Sequence, residues 1–348
     1  MTDFFTKDKE KLSLFNNWLK NAGNVVVTSH QNPDGDAFGS TLGLYCFLQK
    51  LGIEQITFIS PTDFADFIAW MPNADKILVY NQENKAIADE IISTADLIFC
   101  LDYSSVSRMK DMKDAVLGSK AKKIVIDHHE LPEDFGDLYY WDQHASSASE
   151  LVYNMIVELG QEDKIDLDAA TCIYTGMLTD TGSFRFPSTS PSVHRIAARL
   201  LELGVVPSEI NRNLFDKNPE AKLQFLGYVL NKKMTHLPEF RTCFFSVTEK
   251  ELKKYDSRTG DTEGIVNYGL QIEGVVMAAI FIEKEGMIKI SFRSVHDFSV
   301  ADIARDYFEG GGHKNAAGGK SYLSLEQTVE KFVNLLPFYK KTLALQPK

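Results

Sequence analysis

The sequence predicts an α/β fold: a parallel sheet with helices on both faces, followed by a smaller mixed α+β domain toward the C-terminus. Short apolar, β-branched runs such as NVVVTSH (24–30) and KIVIDHH (123–129) alternate with helical stretches, and this alternation is typical of parallel sheets. From residue 237 onward longer strands dominate, and Glu285-Gly286 forms a hairpin signal between two of them. The strands predicted there are 240–248, 275–284 and 286–295.

The elements of the first part follow in a regular order. Apolar residues at helical spacing predict an N-terminal helix, and a later helix ends at Gly52, a residue type that favours helix C-termini. The predicted strands are 24–30, 56–60, 77–80, 96–102 and 123–129. The predicted helices are 5–22, 37–52, 64–71, 83–94 and 108–118, and residues 145–235 are mostly helical. We therefore expect a first domain at 1–218, a linking helix at 219–236 and a second domain at 237–348.

Composition limits the function classes. The chain has 348 residues and a formal net charge of −11, which disfavours capture of duplex nucleic acid. It contains no run of about 18 apolar residues that would span a membrane and no signal-peptide pattern at the N-terminus. We expect a cytoplasmic protein with no duplex DNA or membrane partner. The four cysteines form no CxxC pair, so buried thiols are expected rather than a zinc site.

Acids and histidines stand at four similar places, each at or just after the end of a predicted strand or helix. They are His30, Asp34 and Asp36 in SHQNPDGD, Asp102 closing LIFCLD, Asp127, His128 and His129 closing KIVIDHH, and Asp180 in LTDTG. Because the C-terminal ends of parallel strands converge on one crevice, we expect these side chains to meet. Taken singly, each acid has a plainer reading as a turn or helix N-cap residue. Their joint occurrence favours a common site.

The ligand types indicate which metal would bind. Carboxylates with imidazole and no nearby thiolate suit Mn²⁺, with Mg²⁺ or Co²⁺ as alternatives. Six candidate ligands exceed the need of one ion, whereas two ions about 3.5–4 Å apart would use them all. These ligands are His30, Asp34, Asp36, Asp102, His128 and Asp180. Asp36 is expected in a surface cleft, so Asp36→Ala should remove turnover and leave the fold mostly intact.

A glycine-rich segment, GGGHKNAAGG (310–319), marks the second domain. Glycine permits close approach of the backbone to a ligand, and exposed N–H groups can bind phosphate; the plainer reading is a surface turn. Arg293 lies on a nearby predicted strand and could bind phosphate through two N–H groups. The aromatic rings of Phe184 and Phe186 could stack on a base, although such rings more often form a cleft wall.

Four segments together resemble the motif series of the DHH phosphoesterase superfamily: SHQNPDGDAFGS, FCLDYS, VIDHHE and LTDTGSFRF. The glycine-rich segment resembles the signature of the DHH-associated C-terminal domain. The likeness covers nearly the whole chain. It is greatest to the branch of nanoRNases that also dephosphorylate 3′-phosphoadenosine 5′-phosphate (pAp).

The resemblance implies residue roles. One metal ion is held by His30, Asp34 and Asp102, and the other by Asp36, Asp102, His128 and Asp180, with Asp102 bridging. His129 is expected to contact the scissile phosphate, and Asp127 to orient the histidine pair. The implied substrate-binding residues of the second domain are Arg293, Gly311, Gly312, His313, Lys314 and Asn315.

The function expected from the resemblance is hydrolysis of nanoRNA and pAp by metal-activated hydroxide, with two divalent ions. Short single-stranded RNA and small nucleotides are the expected partners, and a homodimer is left open. Three alternatives stand beside this reading. The site could act on linear di-AMP, it could act on pyrophosphate or polyphosphate, or the protein could be a non-catalytic nucleotide-binding regulator.

Overall fold

The computed structural model describes residues 8–130, 132–258 and 260–347. The chain divides into two compact units between Lys217 and Asn218. Among the described helices, none is long and apolar enough to cross a membrane.

The first unit is built on a six-stranded sheet in which every neighbouring pair of strands is parallel. The strand order is β3-β2-β1-β4-β5-β6, which confirms the predicted fold class for this part. The strands are β1 (Asn24–Thr28), β2 (Gln55–Ser60), β3 (Leu78–Val79), β4 (Leu97–Leu101), β5 (Lys122–Asp127) and β6 (Leu138–Trp141). Strand order reverses between β1 and β4, so a crevice opens there at the carboxyl edge of the sheet.

Helices cover both faces of this sheet. They are α1 (Lys9–Asn21), α2 (Gly35–Lys50), α3 (Lys85–Ser93), α4 (Lys113–Gly118), α5 (Ala148–Glu158), α6 (Leu167–Asp180), α7 (Pro191–Glu202) and α8 (Pro207–Phe215). Alternate residues of β1 enter different cores: Val25 and Val27 pack with the core of α2, α5 and α6, whereas Val26 packs with α3 and α4. Since successive strand side chains point to opposite faces, burial on both faces explains the continuous apolar runs of these strands.

Helices α2 and α6 meet through glycines. A Cβ atom on Gly39 would lie 2.6 Å from the carbonyl oxygen of Cys172 and 2.7 Å from the Cα of Gly176. Gly35 and Gly43, one turn to either side, are also too close to α6 for a side chain, at 2.4 Å from Thr179 and 2.7 Å from Ile173. The two backbones are therefore in direct contact. This contact brings the N-terminus of α2, which carries Asp34 and Asp36, to the C-terminus of α6, which carries Asp180.

The second unit contains a mixed six-stranded sheet, in agreement with the predicted mixed α+β class. Its order is β11-β12-β10-β9-β8-β7, antiparallel except for the parallel β8–β9 pair. The strands are β7 (Met234–Leu237), β8 (Thr242–Val247), β9 (Met277–Lys284), β10 (Met287–Ser294), β11 (Gly311–His313) and β12 (Ala316–Ser321). The helices are α9 (Glu220–Lys232), α10 (Glu249–Lys254), α11 (Ile265–Leu270), α12 (Val300–Tyr307) and α13 (Leu325–Leu345).

Local differences from the sequence prediction have physical causes. The helix predicted over 64–71 is wrong, because the segment forms overlapping turns such as Ile68 N–H to Ala65 C=O. Pro61 and Pro72 bracket it, and proline disfavours helical geometry at the preceding residue. Strand β6 was not predicted. The N-terminal helix begins at Lys9, and residues 5–7 of that prediction lie outside the described residues.

Candidate metal centre

The carboxyl edge of the first sheet gathers the acids and histidines singled out in the sequence. His30 lies two residues after β1, Asp102 directly follows β4, and Asp127 ends β5. Since β1 and β4 are neighbours at the point where strand order reverses, the cluster occupies the crevice in which open α/β sheets bind ligands.

Asp102 is the centre of this cluster. Its Oδ2 atom lies 3.4 Å from Nε2 of His30, and its Oδ1 atom lies 3.4 Å from Nε2 of His128. The residue is 2% exposed and has a φ of +63°, a left-handed conformation that aspartate and asparagine tolerate better than most residues. One carboxylate thus contacts both histidines from opposite oxygens.

Two groups of ligand atoms lie at this carboxylate: one includes it, and the other contacts it through His128. In the first, His30, Asp34 and Asp102 offer atoms that all lie within 4.8 Å of one another. In the second, the same limit holds for Asp36, His128 and Asp180, and Nε2 of His128 lies 3.4 Å from Oδ2 of Asp180. The structure therefore brings all six predicted ligands together in two sets. The assignment of an ion to each set remains a prediction.

Backbone carbonyls orient the two imidazoles. Nδ1 of His30 lies 2.8 Å from the carbonyl oxygen of Gln31, and Nδ1 of His128 lies 3.3 Å from that of Ala145. A carbonyl only accepts hydrogen bonds, so Nδ1 carries a proton and Nε2 is the ring nitrogen that faces the carboxylates. This arrangement is common for metal-binding histidine. Nothing in the sequence indicated this role for Ala145, because only its backbone carbonyl contacts His128.

Asp36 occupies a different environment from the one expected. It is fully buried rather than placed in a surface cleft, and it accepts hydrogen bonds from the backbone N–H groups of Ala148 (2.6 Å) and Ser149 (3.0 Å). These donors lie in the first turn of α5, whose N-terminus favours a negative charge. The surface-cleft placement of Asp36 is therefore wrong, and we expect Asp36→Ala to destabilise the fold as well as to remove turnover. The change would orphan two buried donors, at about 1–3 kcal/mol each.

His129 is held by its neighbours. Its Nδ1 atom lies 2.8 Å from Oδ1 of Asp127, and the indole N–H of Trp141 donates to its backbone carbonyl at 2.7 Å. Trp141 lies on β6, the strand that was not predicted, so its contribution was missed. Asp127 thus contacts His129, whereas His128 contacts the carbonyl of Ala145. That Asp127 orients both histidines stays a prediction.

The centre carries excess negative charge, and its atoms fit a cation. Among the described residues, nothing donates a hydrogen bond to Oδ1 of Asp102 or Oδ2 of Asp127, although both atoms are buried. Burial and the charge of Asp102 raise the pKa of Asp36 to about 7. Burial lowers the pKa of His128, but contact with Asp102 and the charge of Asp180 outweigh it and raise that pKa well above its ordinary value. Four carboxylates and two imidazoles without thiolate suit hard divalent ions.

These pKa shifts predict how Mn²⁺ stabilisation depends on pH. In the metal-free protein, Asp36 and His128 bind protons more tightly than in the unfolded chain, so their contributions to stability are lost as pH rises through about 7 and above. Mn²⁺ competes with those protons. We expect the rise in melting temperature on adding Mn²⁺ to be larger at pH 8 than at pH 6, as measured by thermal unfolding in matched buffers. An equal or smaller rise at pH 8 would contradict this account of the charge balance.

The predicted residues of the second unit lie on adjoining strands and in the turn between two of them. Arg293 on β10 pairs with Ala316 on β12, and β12 pairs in turn with β11, which is formed by Gly311, Gly312 and His313. The side-chain amide of Asn315 donates to Oγ of Ser294 at 2.9 Å. Nζ of Lys314 lies 2.8 Å from the exposed carboxylate of Asp297. The structure thus brings the six residues into one region and engages Lys314 and Asn315 in contacts that shape its turn.

Comparison with known proteins agrees with the architecture of both units. The model of the DHH family N-terminal domain matches residues 24–177, and the model of the DHHA1 domain matches residues 244–339. The bifunctional oligoribonuclease and PAP phosphatase NrnA of Thermus thermophilus is 32% identical over 92% of this chain and 92% of its own. The protein of the same name from Bacillus subtilis is 29% identical over 86% of this chain and 89% of its own.

One solved structure has a higher sequence identity to this chain than these two relatives have. An exopolyphosphatase-related protein from Bacteroides fragilis superposes with a TM-score of 0.92, at 39% identity, over 97% of this chain and 98% of its own. The chain belongs to the DHH family, with a DHHA1 domain after its DHH domain. The family resemblance noted in the motifs is confirmed, as is the expectation of a hydrolytic enzyme of the DHH phosphoesterases.

Proposed function

We propose that the protein is a two-metal phosphoesterase that hydrolyses short oligoribonucleotides and pAp. One observation carries the proposal: in the crevice between β1 and β4, one set of carboxylate and imidazole ligands includes Asp102, and His128 of a second set contacts the same carboxylate. Two divalent ions held by these sets, Mn²⁺ by our proposal, would neutralise phosphate charge and lower the pKa of a bound water. His30, Asp34 and Asp102 would hold one ion, and Asp36, Asp102, His128 and Asp180 the other.

The chain's own residues supply orientation. The carbonyls of Gln31 and Ala145 fix the ring planes of His30 and His128, and α5 holds the carboxylate of Asp36 through its first backbone N–H groups. We assign to His129, held against Asp127 at 2.8 Å, contact with the scissile phosphate. Groups fixed before the substrate binds need no rearrangement during reaction, which is the basis of electrostatic catalysis in such sites.

The substrate assignment draws on the relatives. The two NrnA proteins are named for activity on oligoribonucleotides and PAP, and the net charge of −11 is unfavourable for duplex nucleic acid. We therefore propose short single-stranded RNA and small nucleotides as substrates, with no duplex DNA partner. Polyphosphate is the second candidate, because the solved structure at 39% identity is named exopolyphosphatase-related.

Turnover of four substrates side by side tests the proposal. Purified protein with Mn²⁺ is presented with pAp, a 5′-phosphorylated RNA dinucleotide, linear di-AMP and a short polyphosphate. We expect hydrolysis of the first two, lost when EDTA is added and regained with excess Mn²⁺. Hydrolysis of polyphosphate or linear di-AMP alone would keep the metal centre and reject the substrate assignment. No hydrolysis of any of them would reject the enzymatic reading.

Gly311 gives a prediction for the second unit. A Cβ atom added there meets no atom within 4 Å, in contrast to Gly310, where it would lie 2.0 Å from the carbonyl oxygen of Gly318. Internal packing therefore does not require glycine at position 311. If the exposed backbone of β11 lies against the nucleotide, as we propose, the methyl group of Gly311→Ala should hold the nucleotide away from that backbone. KM should then rise by about tenfold, the order of one broken hydrogen bond, and kcat should stay nearly unchanged.

The matched control for this change is Gly227→Ala on α9 of the same unit, where an added Cβ also meets no atom within 4 Å. Steady-state kinetics with pAp measures both variants, and KM of the control should equal that of the parent protein. An unchanged KM in Gly311→Ala would remove β11 from the proposed substrate contacts.

A further inference from the structure

Arg108 lies beside the metal centre and was not singled out by any motif. It belongs to the 3₁₀ helix Val106–Met112, which follows β4 and Asp102 at the carboxyl edge of the sheet. Its backbone carbonyl accepts a hydrogen bond from the N–H of Gln31 at 2.8 Å. This bond ties the Arg108 segment directly to the residue that follows His30. Arg108 therefore stands on the His30 side of the cluster, where strand order reverses.

The segment that carries Arg108 is fixed at its start. The carboxylate of Glu133 accepts from the hydroxyl of Ser105 at 2.7 Å and from the backbone N–H of Val106 at 3.0 Å. The N–H of Glu133 donates to the carbonyl of Ser104 at 2.8 Å. Further along, Lys110 has a φ of +49° inside the helical segment, a strained conformation of the kind that tends to occur at functional sites. These contacts fix the start of the segment that carries Arg108.

The side chain of Arg108 has unused hydrogen-bonding capacity. Its Nε atom is buried, and among the described residues it has no hydrogen-bond partner. A buried N–H without a partner costs about 1–3 kcal/mol, so a ligand that supplies an acceptor would recover that energy.

We propose that Arg108 is a substrate-binding residue, whose guanidinium binds an oxygen of the substrate's phosphate on the His30 side of the metal centre. A guanidinium donates through N–H groups in a planar fork that matches phosphate oxygens. The ligand class is a phosphate monoester or diester anion, and inorganic phosphate, the product of pAp hydrolysis, belongs to the same class. The inference deepens the proposed function and rests on it for the identity of the substrate.

Binding of inorganic phosphate to the Mn²⁺-loaded protein tests the inference without requiring turnover. Calorimetric titration compares the parent protein with Arg108→Met, which keeps a similar unbranched stem, and with Arg108→Lys, which keeps the charge but not the fork. We expect Kd for phosphate to rise roughly ten- to hundredfold in Arg108→Met, the range for a hydrogen bond to a charged group. Arg108→Lys should show a smaller rise. Affinity for Mn²⁺ should stay within about twofold of the parent in both, because Arg108 is not a metal ligand in this account.

The control is Arg212→Met, a change at an exposed arginine of α8 in the same unit, which should not alter the Kd for phosphate. An unchanged Kd in Arg108→Met overturns the inference. A parallel loss of Mn²⁺ affinity in both Arg108 variants also overturns it, because Arg108 would then act through the ligands. If the parent protein binds phosphate and hydrolyses no ester, the proposed function fails. The role of Arg108 in binding phosphate is still decided by the titration.

Discussion

Asp102→Asn should reduce kcat/KM for pAp by at least about 10³-fold, the upper range for loss of one group that stabilises a transition state. Asp102 contacts His30 with one oxygen and His128 with the other, each at 3.4 Å, so both proposed ions depend on it. Asparagine is the suitable replacement, because its shape is nearly the same and it tolerates the φ of +63° found here. The fall in kcat/KM would therefore result from the lost charge and metal ligand, and not from a change in the backbone.

Steady-state kinetics and metal analysis together measure this effect. We expect the bound Mn²⁺ per chain to fall below that of the parent protein, since an amide supplies one neutral oxygen where a carboxylate supplies two charged ones. Asp216→Asn is the control, as Asp216 is an exposed aspartate of the same unit, and it should behave as the parent does. Retention of full Mn²⁺-dependent activity in Asp102→Asn would show that the two sets do not share this carboxylate.

Gly39→Ala should lower both stability and activity, although Gly39 belongs to neither set of ligands. A Cβ there would lie 2.6–2.7 Å from backbone atoms of α6, at Cys172 and Gly176, so α2 and α6 must move apart. Overpacking of this kind costs about 3 kcal/mol at the upper end of the usual range. Because the two helices carry Asp36 and Asp180, a displacement near 1 Å should also reduce kcat/KM by roughly 10²-fold.

Gly227→Ala again supplies the contrast, since it places the same methyl group on helix α9, where nothing lies within 4 Å. Alanine is favoured over glycine inside helices by about 1 kcal/mol, so that variant should be as stable as the parent or slightly more so. Thermal unfolding and pAp turnover are measured for both variants. A Gly39→Ala protein with the parent's melting temperature would mean that the helices adjust without cost, and the proposed link between helix contact and site geometry would be wrong.

Much of the fold followed from the sequence because local signals agree with it. Apolar strand runs with acids and histidines at their ends, such as KIVIDHH, indicate both a buried parallel strand and its functional edge. The apolar, β-branched runs and their alternation with helical stretches predicted five strands of the first sheet. The motifs at the ends of these elements supplied six candidate ligands, which the structure brings together. These are properties of contiguous residues, which sequence patterns record well.

The remaining features depend on contacts between distant residues. Ala148 and Ser149 bind Asp36 through backbone N–H groups, so their side-chain identities carried no signal, and the burial of Asp36 was missed. Among the described residues no helix lies between β5 and β6, so the alternation of strands with helices gave no signal for strand β6. Gly35, Gly39 and Gly43 recur every fourth residue, a spacing that places them on one face of a helix. Only the structure shows that this face contacts α6.

The most direct test of the account is the anomalous diffraction of a crystal soaked in Mn²⁺, with data collected at the manganese absorption edge. We predict two peaks in the crevice between β1 and β4, one coordinated by His30, Asp34 and Asp102 and the other by Asp36, Asp102, His128 and Asp180. A single peak, or two peaks that do not share Asp102, would contradict the two-metal centre.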